Sequence, residues 1–237
     1  ANLSGPILPG RITFYSSGRI NNSKGWLNGL QTFTIYGDTV FKDNNSNQYF
    51  DNGDQKEEPY YTSLNWYKAW STQNKITFNI NPSTIIKFNT IFNFREGQNY
   101  NHGLQLVKDG QITNYNQGRF LSLNLSHSFS SRSFVQFNAS EYTHSYQSYL
   151  FDDPLDQRYI TPDSLFWAHI QATLPQHVIE EYGDQVLYFP AYSFSRWGVN
   201  TNRFERETRT RGIKLDFTSQ IDKYNQMKIG ADYTEHN

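Results

Sequence analysis

Oxygen-bearing side chains are concentrated in one stretch of the sequence, from Asp43 to Asp54. Five of them fall where a calcium-binding loop supplies carboxylate and amide ligands. The pattern fails at the sixth position, where Gln48 replaces the glycine that the turn requires, and at the twelfth, where Asp54 replaces glutamate. A solvated polar loop is therefore favoured and no metal site is predicted. The candidate ligands for the calcium alternative are Asp43, Asn45, Asn47, Asp51 and Asp54.

A serine, a histidine and two carboxylates follow one another closely, as a hydrolase would require. Ser140 and His144 share a predicted strand, and Asp152 and Asp153 come next. Nucleophilic catalysis needs a base within hydrogen-bonding reach of the hydroxyl, and a serine-rich chain supplies such neighbours by chance. The six histidines show no metal-ligand spacing. We predict neither enzymatic activity nor a cofactor.

Aromatic side chains form clusters that suit either a ligand or a membrane interface. Trp66 and Trp70 stand near the start of a predicted strand, which is typical of an interfacial girdle. Tyr188, Phe189 and Tyr192 lie in the longest predicted loop. These three are the candidate ligand-binding residues, because aromatic rings stack on sugars and on cobalamin-like rings and clamp peptides. Interfacial anchoring is the alternative for them.

A dense run of charged residues enters a predicted strand and consists of Arg203, Glu205, Arg206, Glu207, Arg209 and Arg211. Mutual ion pairs on a solvated ribbon are the favoured interpretation. Pairing of the arginines with lipopolysaccharide phosphates is the alternative.

The stretch from Lys75 to Arg95 indicates the secondary structure that positions these candidate residues. Apolar and polar side chains alternate on both sides of a turn at Asn81–Ser83, which predicts a β-hairpin. Its apolar face is unbroken over roughly ten residues per strand, the length that a tilted strand needs to cross a bilayer. The opposite face is rich in amides and charges, as in a water-filled lumen.

The same pattern predicts about seven antiparallel strands, with further short turns near Ser128–Ser133 and Asp222–Asn225. The alternate connections are long, which is the arrangement of periplasmic turns and extracellular loops in outer-membrane barrels. The minor elements predicted are a turn at Ser4–Gly10, a short strand at Thr32–Tyr36, a short hairpin at Leu104–Ile112 and a helix at Ser164–Leu174.

Composition narrows the class of protein. The 237 residues carry a net charge of -1, which gives no electrostatic reason to expect nucleic acid binding. A mean hydropathy of -0.75, with no apolar run near 18 residues, excludes a transmembrane helix in the sequence. Cysteine is absent, so thiolate metal sites and disulfides are excluded.

The chain resembles part of the barrel of a TonB-dependent outer-membrane receptor of the Bacteroidetes type. The resemblance rests on the opening Ser4-Gly5-Pro6, the Lys75–Arg95 hairpin, the closing segments Ile213–Gln220 and Met227–Ala231, and the short loop sequence Phe151–Asp156 with Tyr159. It implies a larger barrel, plugged by a separate domain, that imports a nutrient with energy passed through TonB. No plug and no TonB box are recognisable in this sequence, and no ligand contact carries over.

We therefore expect residues 1–237 to be a partial barrel domain of an outer-membrane receptor, with seven strands as an odd count that favours a fragment. The expected location is the bacterial outer membrane. The expected partners are membrane lipid or lipopolysaccharide, an unidentified nutrient, and TonB through the missing plug domain. The alternatives are an outer-membrane enzyme or adhesin barrel, and a soluble all-β carbohydrate-binding module with its apolar residues in a dry core.

Overall fold

A computed structural model describes residues 1–35, 41–42, 55–56, 60–159, 194–195 and 197–237. In these residues the chain is all-β, with three short 3-10 turns at His102–Leu104, Lys108–Gly110 and Gln157–Tyr159. No helix in the described residues has the length and apolar composition needed to cross a bilayer. The strands are β1 Asn2–Leu8, β2 Ile12–Ser23, β3 Asn28–Gln31, β4 Phe41–Lys42, β5 Gln55–Lys56, β6 Tyr60–Ser63, β7 Trp66–Asn81, β8 Thr84–Gln98, β9 Thr113–Ser128, β10 Ser133–Tyr149, β11 Phe204–Gln220 and β12 Gln226–His236.

Eight of these strands form one antiparallel sheet, in the order β1-β2-β7-β8-β9-β10-β11-β12. Each strand pairs with the one that precedes it in the sheet, so the sheet is a meander. The pairs β3–β6 and β4–β5 form separate two-stranded ribbons in the connection between β2 and β7. The sheet is open, with β1 and β12 as its edges, and is not closed as a barrel.

The connections are sorted by length between the two ends of the sheet. Residues 9–11, 82–83, 129–132 and 221–225 make short turns at one end, the turn end. Residues 24–65, 99–112 and 150–203 make long connections at the other, the loop end. The turns predicted near Asn81–Ser83, Ser128–Ser133 and Asp222–Asn225 are confirmed.

The first strand corrects the prediction of seven strands and a turn at Ser4–Gly10. Asn2–Leu8 pairs with β2, and only the tight turn at Gly10, with φ 75°, follows it. Pro6 fits because β1 is an edge strand, where a missing N–H is tolerated beside an irregularity between Pro6 and Leu8.

Two minor predictions were wrong, and one lies outside the described residues. The short strand is Asn28–Gln31, in which Gln31 pairs with Tyr60, and residues 32–35 of the predicted Thr32–Tyr36 strand do not belong to it; Tyr36 lies outside the described residues. Leu104–Ile112 is not a hairpin. The Asn101 side chain accepts a hydrogen bond from Gly103 N and caps the 3-10 turn at His102–Leu104. The helix predicted at Ser164–Leu174 falls outside the described residues.

The sheet has two chemically different faces, because paired residues project to the same side. The apolar face carries Ile76, Phe88, Leu123, Ile213 and their cross-strand partners. The polar face carries amides, hydroxyls and basic residues, such as Lys87 paired with Asn124. The described elements that contact one another extensively are neighbours in a sheet or ribbon, so no described strand packs extensively over the apolar face. Leu123 is 41% and Ile213 51% exposed.

Charged side chains on the apolar face begin only at a definite level, which we call the charge boundary. From the turn end up to that level the apolar face of β7 to β12 carries no Asp, Glu, Lys or Arg. The first charged residue on each of these strands is Lys68, Glu96, Arg119, Glu141, Arg211 and Glu235 respectively. In the cross-strand register, Lys68 and Glu96 lie six residues nearer the loop end than Glu141, Arg211 and Glu235.

The buried hydrophobic side chains of the described residues lie at the loop end. Among the described residues the buried hydrophobic side chains are Leu64 and Val107, which both lie in connections or beside them. The sheet therefore presents its apolar residues to its surroundings instead of to a core.

Candidate functional site

The candidates chosen for ligand and metal binding lie outside the described residues. This holds for the aromatic cluster of Tyr188, Phe189 and Tyr192, and for the calcium candidates Asp43, Asn45, Asn47, Asp51 and Asp54. In the part of the chain that the structure describes, no group of three His, Asp or Glu residues is placed to hold a metal ion.

The serine and histidine considered for hydrolysis are not brought together. Ser140 and His144 project from the polar face of β10, four residues apart, which separates them by about 13 Å along the strand. The His144 ring stacks with Tyr142, with 6.4 Å between centroids. A proton transfer between this serine and this histidine is therefore excluded in this arrangement.

The arginine run divides between the two faces. Arg203, Arg209 and Arg211 form ion pairs with Glu205, Glu207 and Glu141, at 2.5, 4.0 and 3.0 Å. Glu141 also pairs with Arg119 at 2.9 Å. Mutual pairing, the favoured interpretation of the sequence, therefore holds for Arg203, Arg209 and Arg211, whereas Arg206, on the polar face, has no described ion pair.

The tryptophans considered as interfacial anchors lie on the apolar face near the charge boundary. Trp70 stacks on Phe94 with 6.3 Å between ring centroids and is 44% exposed. Trp66 donates a hydrogen bond from Nε1 to Gln98 Oε1 at 2.9 Å. Each ring thus has an apolar surface, and the Trp66 ring also has a polar partner.

A cleft of about 450 Å³ opens on the polar face near the loop end. Arg95 and Tyr67 form part of its wall, and the Arg95 guanidinium lies 4.3 Å from the Tyr67 ring centroid. Asn21 donates a hydrogen bond to the Tyr67 hydroxyl at 3.1 Å, which fixes that ring. The Trp26 side chain, 82% exposed, lies at the margin. The guanidinium is thereby held over an aromatic surface that faces solvent.

The other wall of the cleft is a hydrogen-bonded group on β9 and β10. Asn114 Oδ1 accepts hydrogen bonds from the Tyr146 hydroxyl at 2.8 Å and from Ser148 Oγ at 2.9 Å. Asn99 and Asn116 also line the cleft, and within the described residues their side-chain amides have no hydrogen-bond partner. These two amides are available to a ligand.

Basic residues outnumber acidic ones on the polar face. Its strand positions carry two aspartates, Asp216 and Asp232. They carry seven cations: Arg19, Lys75, Lys87, Arg95, Arg206, Lys214 and Lys228. Over β7 to β12 the apolar face instead has four cations and five glutamates. The excess positive charge is thus specific to one face of a chain whose net charge is -1.

The connections at the loop end pack through one buried amide. Gln31 is 1% exposed, and its Oε1 accepts a hydrogen bond from Lys108 N at 3.0 Å. Its Nε2 donates to Phe33 O at 2.9 Å and to Asp109 Oδ2 at 3.3 Å. Gly110 O accepts from Asn200 N at 2.8 Å, which attaches a third segment. These contacts hold the connections beside the cleft.

Two carboxylates outside the long strands have lowered pKa values. Hydrogen bonds from the Arg158 side chain and backbone lower the pKa of Asp156 to about 2. The Asn225 side chain, with the N–H groups of Tyr224 and Asn225, holds the pKa of Asp222 below its usual value. Both carboxylates stabilise local turns and remain charged at neutral pH.

No family model, curated protein or solved structure matches this chain. The aromatic rings and the Arg95 guanidinium, together with the free amides of Asn99 and Asn116, suit noncovalent binding of a polar ligand. The sequence did not predict this cleft, because the residues that line it, such as Tyr67, Arg95 and Asn116, are far apart in the chain. Which residues of different strands face the same cleft can be recognised only once the strand register is known.

Proposed function

We propose that the chain forms part of the wall of an outer-membrane β-barrel, in a receptor that takes up a nutrient. The observation that carries the proposal is the uncovered apolar face, free of charge up to the charge boundary on β7 to β12. Apolar side chains exposed in this way over several strands mark a surface that contacts lipid or another apolar partner. The polar face then lines the lumen.

The slope of the charge boundary supports lipid as that partner. From Lys68 to Glu235 it shifts by six residues, about 20 Å along a strand. Perpendicular to the strands, Lys68 and Glu235 are separated by five interstrand spacings, about 24 Å. A level boundary would therefore require strands inclined by about 40°, within the range of membrane barrels. A flat lipid layer accounts for such a slope, whereas a second protein layer has no reason to produce it.

The sorted connections give independent support. Short turns at one end and long connections at the other are the arrangement of outer-membrane barrels, whose loops face outward. The cleft at the loop end then faces the side from which a nutrient arrives. TonB coupling would belong to the plug domain that the family resemblance implies, and lipopolysaccharide would contact the apolar face near the charge boundary.

Single cysteines test the membrane proposal, because the chain contains none. Spin labels at Leu123→Cys and Ile213→Cys should be reached by lipid-phase oxygen in bilayers. Labels at the neighbouring Asn124→Cys and Lys214→Cys should be reached by a water-soluble nickel chelate. Equal nickel access on both faces, or protection of Leu123→Cys from both reagents by a second protein layer, would contradict the proposal.

A further inference from the structure

The polar face carries a line of three arginines that cross-strand pairing places on one side of the sheet. Arg206 pairs with Tyr146, Tyr146 with Asn116, and Asn116 with Arg95. In the other direction, Arg95 pairs with Ala69 on β7, and Ala69 pairs with Asn21 on β2. Arg19 is two residues before Asn21 on β2 and therefore projects from the same face. We call Arg19, Arg95 and Arg206 the arginine track.

The arginine track is free of acidic partners. Described ion pairs engage Lys68, Arg119, Arg209 and Arg211 of the apolar face, whereas none engages a member of the track. Between this track and the loop end, the described strand positions of the polar face include no Asp or Glu. All three arginines are exposed. Guanidinium groups in this setting bind carboxylate or sulfate groups through paired hydrogen bonds.

The spacing of the track determines the size of ligand that can engage all of it. Arg206 and Arg95 are three strands apart, about 14 Å, and Arg95 and Arg19 are about 12 Å apart. One small anion cannot bridge either interval. An extended ligand with several anionic groups can bridge both, following the cleft and its smaller continuation beside Arg19 and Asn21.

The groups that line the cleft around Arg95 indicate the body of that ligand. Tyr67 and Trp26 offer ring surfaces, and Asn99 and Asn116 offer free amides. Rings suit the C–H faces of sugars, and amides suit their hydroxyl groups. We propose that the arginine track binds an anionic oligosaccharide, with Arg95 stacked on Tyr67 as its central contact. This inference rests on the proposed function, since it names the class of nutrient that such a receptor would take.

Matched saccharides test the charge requirement directly. The full 237-residue chain in detergent micelles is titrated with hexagalacturonate, its methyl ester, a sulfated carrageenan hexamer and monomeric galacturonate, by calorimetry at low salt. We expect a charged hexamer to bind at least tenfold more tightly than the neutral ester and the monomer. The tighter of the two charged hexamers identifies the anionic group. Equal binding of hexagalacturonate and its ester would overturn the proposal, as would equal binding of hexaglutamate, which would indicate an acidic peptide.

Variants assign the binding to the track. Arg95→Gln should weaken binding of the charged hexamer about tenfold or more, because a charge-assisted hydrogen bond is lost. Arg19→Gln and Arg206→Gln should each weaken it less and flatten its salt dependence. Arg119→Gln, on the apolar face, is the control, and an equal effect there would overturn the assignment. Strand circular dichroism verifies folding, and the conservative Arg95→Lys variant provides a second measurement if Arg95→Gln misfolds. Spin-label accessibility in bilayers is scored separately, so a failure of membrane insertion is distinguishable from a failure of binding.

Discussion

Asp156 shows how one side chain orders the start of the longest connection. Its Oδ1 accepts hydrogen bonds from Arg158 N and Nε, both at 2.9 Å, and its Oδ2 accepts one from Arg158 Nη2 at 2.6 Å. The same guanidinium lies 3.8 Å from the Phe151 ring centroid. The carboxylate is therefore linked through Arg158 to the end of β10, beside the aromatic pair of Phe151 and Tyr159.

Acid should release this segment within a defined pH range. The folded-state pKa of Asp156 is about 2, below its ordinary value of 3.8. Its contribution is thus complete above about pH 4 and is lost as the pH falls through about 2. The amide signals of residues 151–159 should report the loss by NMR in detergent micelles. Arg158→Gln should raise the pKa of Asp156 toward 3.8, and an unchanged pKa would contradict the assigned cause.

At the scale of the elements, the attachment of the connections depends on a close backbone contact. A Cβ added at Gly110 would lie 2.4 Å from Gly198 O, a backbone atom that cannot move aside at small cost. Gly198 itself has φ 102° and donates a hydrogen bond from its N–H to Ile35 O at 2.8 Å. Three connections therefore meet at a point that accepts no side chain.

Gly110→Ala should loosen this junction by about 1–3 kcal/mol, the usual cost of overpacking. Hydrogen exchange of Asn200 N–H, which donates to Gly110 O, gives a local measurement. Gly18→Ala is the matched control, since an added Cβ there meets nothing within 4 Å. Similar exchange rates at Asn200 in the two variants would show that the contact carries no local stability.

Strands and turns differ in how well the sequence predicts them. The seven long alternating strands were predicted because each has one face of uniform character, as in Leu121, Leu123 and Leu125. β1 was missed because Pro6 and Gly5 interrupt any such pattern. The segment around Val107 was misassigned because its structure depends on Gln31, which is remote in sequence. The cleft was not predicted for the same reason, since it needs the register that brings Arg95 level with Asn116.

The apolar face of the whole sheet contains a zone without charged side chains. If this zone contacts lipid, as proposed, a charged side chain placed in it should lower the stability of the chain. Leu123→Lys places an ammonium group within the zone, whereas Asn124→Lys places one on the adjoining polar face. We expect Leu123→Lys to destabilise the chain in bilayers by about 2–4 kcal/mol. Asn124→Lys should change stability by much less. Urea unfolding in lipid vesicles measures both, and equal midpoints would contradict a lipid-facing position for Leu123.

The pairing of the long strands is irregular only close to turns, between Pro6 and Leu8 and between Asn79 and Asn81. Elsewhere the alternation of the two faces runs without interruption. Deleting one residue from the middle of β9 would exchange every side chain beyond it between the faces, whereas deleting two would restore the alternation. Within the strands, changes of chain length are thus compatible with the fold only in pairs.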